Sequence, residues 1–181
     1  MKLIVRDKEI FQNIDPNVLA THLEATGWQK VALVYENTWI WRKKNDEGEL
    51  LEIKQPVRQE FDAPHLIYEA IKELEVVENR SQLDIVGELL TSLPNATISG
   101  WINKIDWHKG AIAQITLIGF VVGKLRKIHL ELSEADYQLA LQAYEDRSAV
   151  TCYGDLIKQS DGFVLKNPGD FVILNEAELS K

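Results

Sequence analysis

Between Lys124 and Leu132 apolar and polar residues alternate. Ile128, Leu130 and Leu132 fall on one side, and Lys127, His129 and Glu131 on the other, which is the period of a half-buried β-strand. The period then changes. Ser133-Glu134-Ala135-Asp136 reads as a capping box with aspartate in the last place. Tyr137, Ala140, Leu141 and Tyr144 follow at helical spacing, predicting a helix over 134–147 that buries this stripe. Upstream, Thr97–Ile105 and Ala111–Val122 read as strands joined by the turn Asp106-Trp107-His108-Lys109-Gly110, with Gly119 as a bulge or bend. Downstream come Val150–Ile157 and Gly162–Leu174, the second interrupted at Pro168-Gly169-Asp170. From about Asn95 to Leu174 the predicted order is therefore β-β-β-α-β-β.

The first half reads α-β-β-β-α-α. Asp15 followed by Pro16 marks an N-cap with proline at the first helical position, and Gly27 stops that helix after Thr26. Lys30–Glu36 and Thr38–Lys43 form a hairpin turning near Asn37. Asn45-Asp46-Glu47-Gly48 is a turn into a third strand, Glu49–Gln55, which ends at Pro56. Asp62 and Pro64 open a helix with Leu66, Ile67, Ala70, Ile71, Leu74 and Val77 on one face. Ser81-Gln82-Leu83-Asp84 caps another, running to about Ser92 and ended by Leu93-Pro94. Pro94-Asn95 is the expected boundary, giving domains 1–94 and 95–181.

Ala149–Leu174, with Gly154 in a strand, Gly162 in a turn and Phe163–Leu165 resuming, resembles the last two strands of an OB barrel. The helix sits between strands three and four, where OB folds carry theirs. The resemblance spans about 80 residues and concerns topology, not a sequence motif. The fold class implied is α+β: an N-terminal two-layer α-β-β-β-α-α domain, then an OB-like five-stranded barrel. OB folds commonly bind single-stranded nucleic acid, and some bind oligosaccharides or proteins, on the face of strands two and three and the first and last loops. The first half more weakly resembles the α-β-β-β-α domains of HicA-type toxins and double-stranded-RNA-binding modules. Gly27-Trp28 after the first helix, the hairpin and the strand ending at Pro56 carry that likeness. HicA-type enzymes have Gly-Ser-His near the hairpin. Here the stretch reads Tyr35-Glu36-Asn37-Thr38, so the likeness implies no nuclease chemistry.

Composition narrows the choice of partner. Net charge is −8 over 181 residues. Residues 1–94 hold 11 basic and 17 acidic residues, net −6, and residues 95–181 hold 9 and 11, net −2. That balance argues against coating nucleic acid through overall charge and leaves room for a local basic face. The single cysteine, Cys152, cannot form an internal disulfide and reads as a buried structural thiol in a reducing, cytoplasmic compartment. The Asn-x-Ser/Thr triplets at Asn79 and Asn95 are then chance matches. The stretch Met1–Asp7 becomes charged too early for a secretory signal. No apolar run reaches the roughly 20 residues a membrane helix needs, so no membrane partner is expected.

His22, His65, His108 and His129 are scattered over different elements, without metal-ligand spacing. Neither a phosphate loop nor a nucleophile elbow is written. No catalytic residue, metal or cofactor is assigned. Glu73, Glu75 and Glu78 read as a solvated, acid-rich helix end. Two aromatic–basic groupings stand out. Trp39, Trp41 and Lys43 share a strand face beside Arg42 and Lys44, either as a stacking platform or as cover for the helices. In the second half, Trp107 and Lys109 occupy the first loop with His108, Lys127 and His129 face outward, and Lys158 approaches the last loop. Asp106, Glu131, Asp155 and Asp161 offset that charge.

The residues leave three readings open. One is a non-catalytic binding or adaptor protein, engaging single-stranded nucleic acid or a protein through the second half. Another is an acidic protein-binding regulator, antitoxin- or immunity-like, using the net −6 of the first half. The third is an RNA-processing enzyme built on the first half. Oligomeric state is not assigned.

Overall fold

The computed structural model describes residues 8–106 and 112–174. The chain divides into two compact units between Thr91 and Ser92.

The first unit runs α1 (Lys8–Gln12), α2 (Pro16–Ala25), β1 (Gln29–Val34), β2 (Thr38–Lys44), β3 (Leu50–Pro56), α3 (Ala63–Val77) and α4 (Gln82–Leu89). The single-turn helix α1 is additional to the expected order, being too short to show a period. Asp15 caps α2 by accepting from the Asn17 amide at 2.8 Å, and Gly27 ends it at φ +85°. The sheet is antiparallel in the order β1-β2-β3. Its first hairpin turns through Tyr35 and Glu36, both in the left-handed region at φ 51° and 59°, a conformation that sequence rules reserve for smaller residues. Leu19 and Leu23 of α2, Trp41 and Ile53 of the sheet, Ile71 and Leu74 of α3, and Ile85 and Leu89 of α4 are all buried.

Two expectations for this unit are corrected. Helix α4 stops at Leu89, and Leu90 is already extended. Glu75 and Glu78 are not solvated. The Glu78 carboxylate meets His22 Nε2 at 2.7 Å and accepts from Arg80 at 3.1 Å. Glu75 accepts from Gln82 at 2.8 Å. Hydrogen bonding to Glu88, reinforced by the charges of Glu78 and Asp84, holds the Arg80 guanidinium above its usual range. The helical period identified the acids, but not the α2 and α4 groups that meet them.

The second unit runs β4 (Ser92–Asp106), β5 (Ala113–Val121), β6 (Lys124–Leu132), α5 (Glu134–Glu145), β7 (Ala149–Gln159) and β8 (Gly162–Ile173). Its strands close into a barrel in the order β4-β5-β6-β8-β7. All neighbours are antiparallel except β6 and β8, which pair in parallel from Ile128–Leu130 to Phe163–Leu165. This is the expected OB-like arrangement, with α5 between the third and fourth barrel strands. Ile98, Ile115, Leu117, Ile128, Leu130, Cys152, Leu156 and Leu165 fill the interior.

The barrel departs from the sequence reading at its irregular points. Pro94 and Asn95 lie inside β4, at a bulge between Leu93 and Ala96 opposite β7, with Asn95 at φ 53°. The bulge toward β5 falls between Ile102 and Lys104, not at Gly119. On α5 the buried residues are Ala140 and Ala143, whereas Tyr144 is 46% exposed. Small side chains let the helix approach the barrel closely, which rotates the buried stripe away from Tyr144. Among the described residues, no helix is long and apolar enough to cross a membrane.

Candidate ligand-binding face

The outer face of β4, β5 and β6 is assembled by strand alternation. On β4, Ile98, Gly100 and Ile102 turn inward, which leaves Thr97, Ser99 and Trp101 outside. On β5 and β6 the outward sets are Gln114, Thr116, Ile118 and Phe120, and Leu125, Lys127, His129 and Glu131. Register then fixes three rows across the strands. Trp101 pairs with Ile118, and Ile118 with Lys127. Lys104 pairs with Thr116, and Thr116 with His129. Asp106 pairs with Gln114, and Gln114 with Glu131. Phe120 and Leu125 face each other beyond the Trp101 row, toward the β5–β6 turn.

The face is graded in charge. Trp101 is 47% exposed, Phe120 63% and Leu125 55%, with Lys127 exposed beside them. The middle row is internally bonded. Thr116 Oγ1 lies 3.1 Å from His129 Nδ1, His129 Nε2 lies 3.9 Å from Asp161, and Lys104 is ion-paired to Asp106 at 2.6 Å. The far row is acidic, where a cleft of about 720 Å³ between the diverging β6 and β8 is lined by Asp106, Glu131 and Asp136 against the one lysine among its described residues, Lys166. An anionic ligand is therefore favoured over the Trp101–Ile118–Lys127 row and disfavoured over the Asp106–Gln114–Glu131 row. Strand spacing puts Lys127 about 10 Å from Trp101 across Ile118.

Several residues singled out by sequence are placed elsewhere. Trp107 and Lys109 lie outside the described residues, as does His108. Lys158, paired with Phe163, follows the inward register of Cys152, Gly154 and Leu156 and is half-buried, so it does not share the face of Lys127. The grouping on β2 is absorbed by the fold. Trp41 is completely buried and offers no ring face to a base, which corrects the platform reading. Lys30 Nζ stands 4.7 Å from the Trp39 ring centre and 4.8 Å from that of Trp41. Lys43 donates to the carbonyl of Thr26 at 2.8 Å, closing the C-terminal end of α2.

Trp101, Phe120 and Leu125 were missed by the sequence reading. The signal for Trp101 was present: it is an aromatic residue on the polar side of an alternating strand. Phe120 carried none, because from Leu117 to Val122 the run has no polar residue on either side. Cys152 points into the barrel, and burial, aided by the charge of Asp136, pushes its thiol up to about 11, which makes it a poor nucleophile. Among the described residues, no group of three His, Cys, Asp or Glu side chains is placed to hold a metal ion. Comparison with protein-family models, with characterised proteins and with solved structures finds no match for this chain.

Proposed function

We propose that this protein is a non-catalytic binding module that holds single-stranded nucleic acid on the outer face of β4, β5 and β6. The observation that carries this reading is the row Trp101–Ile118–Lys127, flanked by exposed Phe120 and Leu125. An exposed indole gives an unpaired base a surface to stack on, and a lysine about two strand spacings away reaches the backbone phosphate. A duplex hides its base faces and gains little from such a row. Net charge near −2 for this half keeps sequence-independent attraction weak, so affinity depends on stacking at the row.

The test is a fluorescence-anisotropy titration of the full chain with labelled single-stranded DNA and RNA at about 50 mM and 200 mM salt. Micromolar binding that weakens with salt and drops when Trp101 becomes alanine is the expected result. Absence of binding at the lower salt overturns the proposal.

A second reading, a protein-binding regulator, is favoured by the first unit. There β1 is the edge of a three-stranded sheet and exposes Val31 and Leu33, each 46%. Tyr35 and the fully exposed Phe61 line a cavity of about 490 Å³ nearby. An edge strand bearing apolar side chains is a template for strand addition by another chain. Co-purification of a partner that is lost when Leu33 becomes lysine supports this reading, and retention of the partner by that variant counts against it.

A further inference from the structure

Trp101 has a second side, away from Ile118 and Lys127. There it shares a hollow of about 560 Å³ with Tyr144, Glu145 and Arg147 at the C-terminal end of α5, a size within the roughly 300–1,000 Å³ range of small-ligand clefts. We infer that this hollow is a nucleobase subsite, in which an unpaired base stacks between Trp101 and Tyr144 and its phosphate lies on Arg147. The inference rests on the nucleic-acid reading of the outer face and extends it past the end of the β4–β6 rows.

Three features point the same way. Tyr144 occupies a position that helical spacing assigns to the core, yet its ring is 46% exposed, because α5 packs through Ala140 and Ala143 instead. Two exposed aromatic rings on one hollow suit a flat ring between them. Arg147 stands in the left-handed region at φ 53°. The turn there is closed by Arg147 N to the Tyr144 carbonyl at 3.4 Å and Ser148 N to the Ala143 carbonyl at 2.9 Å. Glycine is the favoured residue at such a helix end, and an arginine there is held against its backbone preference. The same conformation occurs at Tyr35, Glu36 and Val122, so what the turn contributes here is the placing of Arg147 on the hollow.

The charge pattern limits the ligand. Glu145 lines the same hollow, and Asp146 follows it in the chain. The helix C-terminus adds partial negative charge. A run of phosphates is repelled there, whereas a neutral ring with one phosphate bridged to Arg147 is accommodated. A single strand lying over Lys127 and Ile118 reaches the hollow by continuing across Trp101.

The test compares the full chain with Lys127→Gln, Tyr144→Ala and Arg147→Gly, titrated with a labelled 12-nucleotide single-stranded DNA at low salt. Tyr144→Ala is expected to weaken binding roughly five- to hundred-fold, the range for losing one base stack. Arg147→Gly removes the guanidinium that would hold the phosphate and relieves the left-handed backbone, so it is expected to bind less tightly while melting no earlier than the wild type. That combination separates loss of a subsite from loss of the fold. Wild-type affinity in both the Tyr144 and Arg147 variants, with Lys127→Gln weakened, overturns the hollow and leaves the outer-face reading standing. No binding by the wild type overturns both.

Discussion

Gly100 of β4 and Gly119 of β5 are direct cross-strand partners, and neither has room for a side chain. A Cβ on Gly100 would stand 2.3 Å from the carbonyl oxygen of Ile118, and one on Gly119 would stand 2.7 Å from that of Ser99. The obstacles are backbone atoms of a closed barrel, which yield only if register or curvature changes. Gly100→Ala is therefore expected to destabilise the second unit by about 1–3 kcal/mol, as overpacking does. Urea unfolding measures it. An unchanged midpoint would show that the two strands separate freely at this point.

Gly87 is the opposite case. It lies within α4, and a Cβ there meets nothing within 4 Å. Alanine in its place removes backbone freedom from the unfolded chain without a clash, so Gly87→Ala is expected to stabilise by about 0.5–1 kcal/mol. Thermal melting of the two glycine variants side by side should move in opposite directions. A lower melting temperature for Gly87→Ala would contradict the open space seen at that position.

The contrast between these glycines shows where the sequence was legible. Helix starts could be read because their chemistry is local. Ser81 and Ser133 accept from the amides of Asp84 and Asp136, both at 3.2 Å, within four consecutive residues. The chain order of strands and helix could be read from local patterning such as the alternation of β6, and the barrel was what the resemblance to OB folds implied. What could not be read depends on groups distant in the chain. Gly119 looked like a bend, but its reason is Ser99 on another strand. Glu78 looked solvated, but its partner is His22. Tyr144 fits the apolar stripe, and only the close seating of Ala140 and Ala143 shows why it is outside. The candidate face suffered most. Its rows arise from register across strands, and no single strand contains more than one member of the Trp101–Ile118–Lys127 row.

Gln55 tests the interior of the first unit. It is 2% exposed; its carbonyl oxygen accepts from Trp41 Nε1 at 3.1 Å, while its amide donates to the Pro16 carbonyl at 3.1 Å and to that of Pro56. One side chain thus links β2, β3 and the start of α2. Gln55→Leu keeps the bulk but leaves the indole N–H and the Pro16 carbonyl without this partner. A loss of about 1–3 kcal/mol per orphaned group is expected. Chemical denaturation checks it, and a loss below about 0.5 kcal/mol would mean that other groups or water satisfy the site.

Cys152 makes stability fall at alkaline pH. Burial, then the charge of Asp136, raises the folded-state thiol from 9.0 to about 11. Between those values the unfolded chain loses the proton and the folded chain keeps it. The stabilisation is therefore complete below pH 9 and is lost as pH rises toward about 11. Cys152→Ala should flatten that part of the stability–pH curve, although its lost packing lowers the curve as a whole. Thiol reagents should also react slowly in native protein at pH 8 and quickly after unfolding. Fast native labelling would contradict the burial.

Trp101 and Lys127 belong to one row, and on the proposed single-strand reading they contribute different kinds of binding energy, which salt separates. Lys127→Gln removes one phosphate contact, so the slope of log affinity against log salt should become shallower by about 0.7 for a single strand. Trp101→Ala removes a stacking surface that carries no charge. Its affinity should drop roughly five- to hundred-fold at every salt concentration, with the slope unchanged. The two lines, one tilted and one displaced, are a signature that general loss of folding does not produce, since misfolding displaces both without tilting either. If Trp101→Ala changes the slope as much as Lys127→Gln does, the row does not divide stacking from charge as its geometry requires.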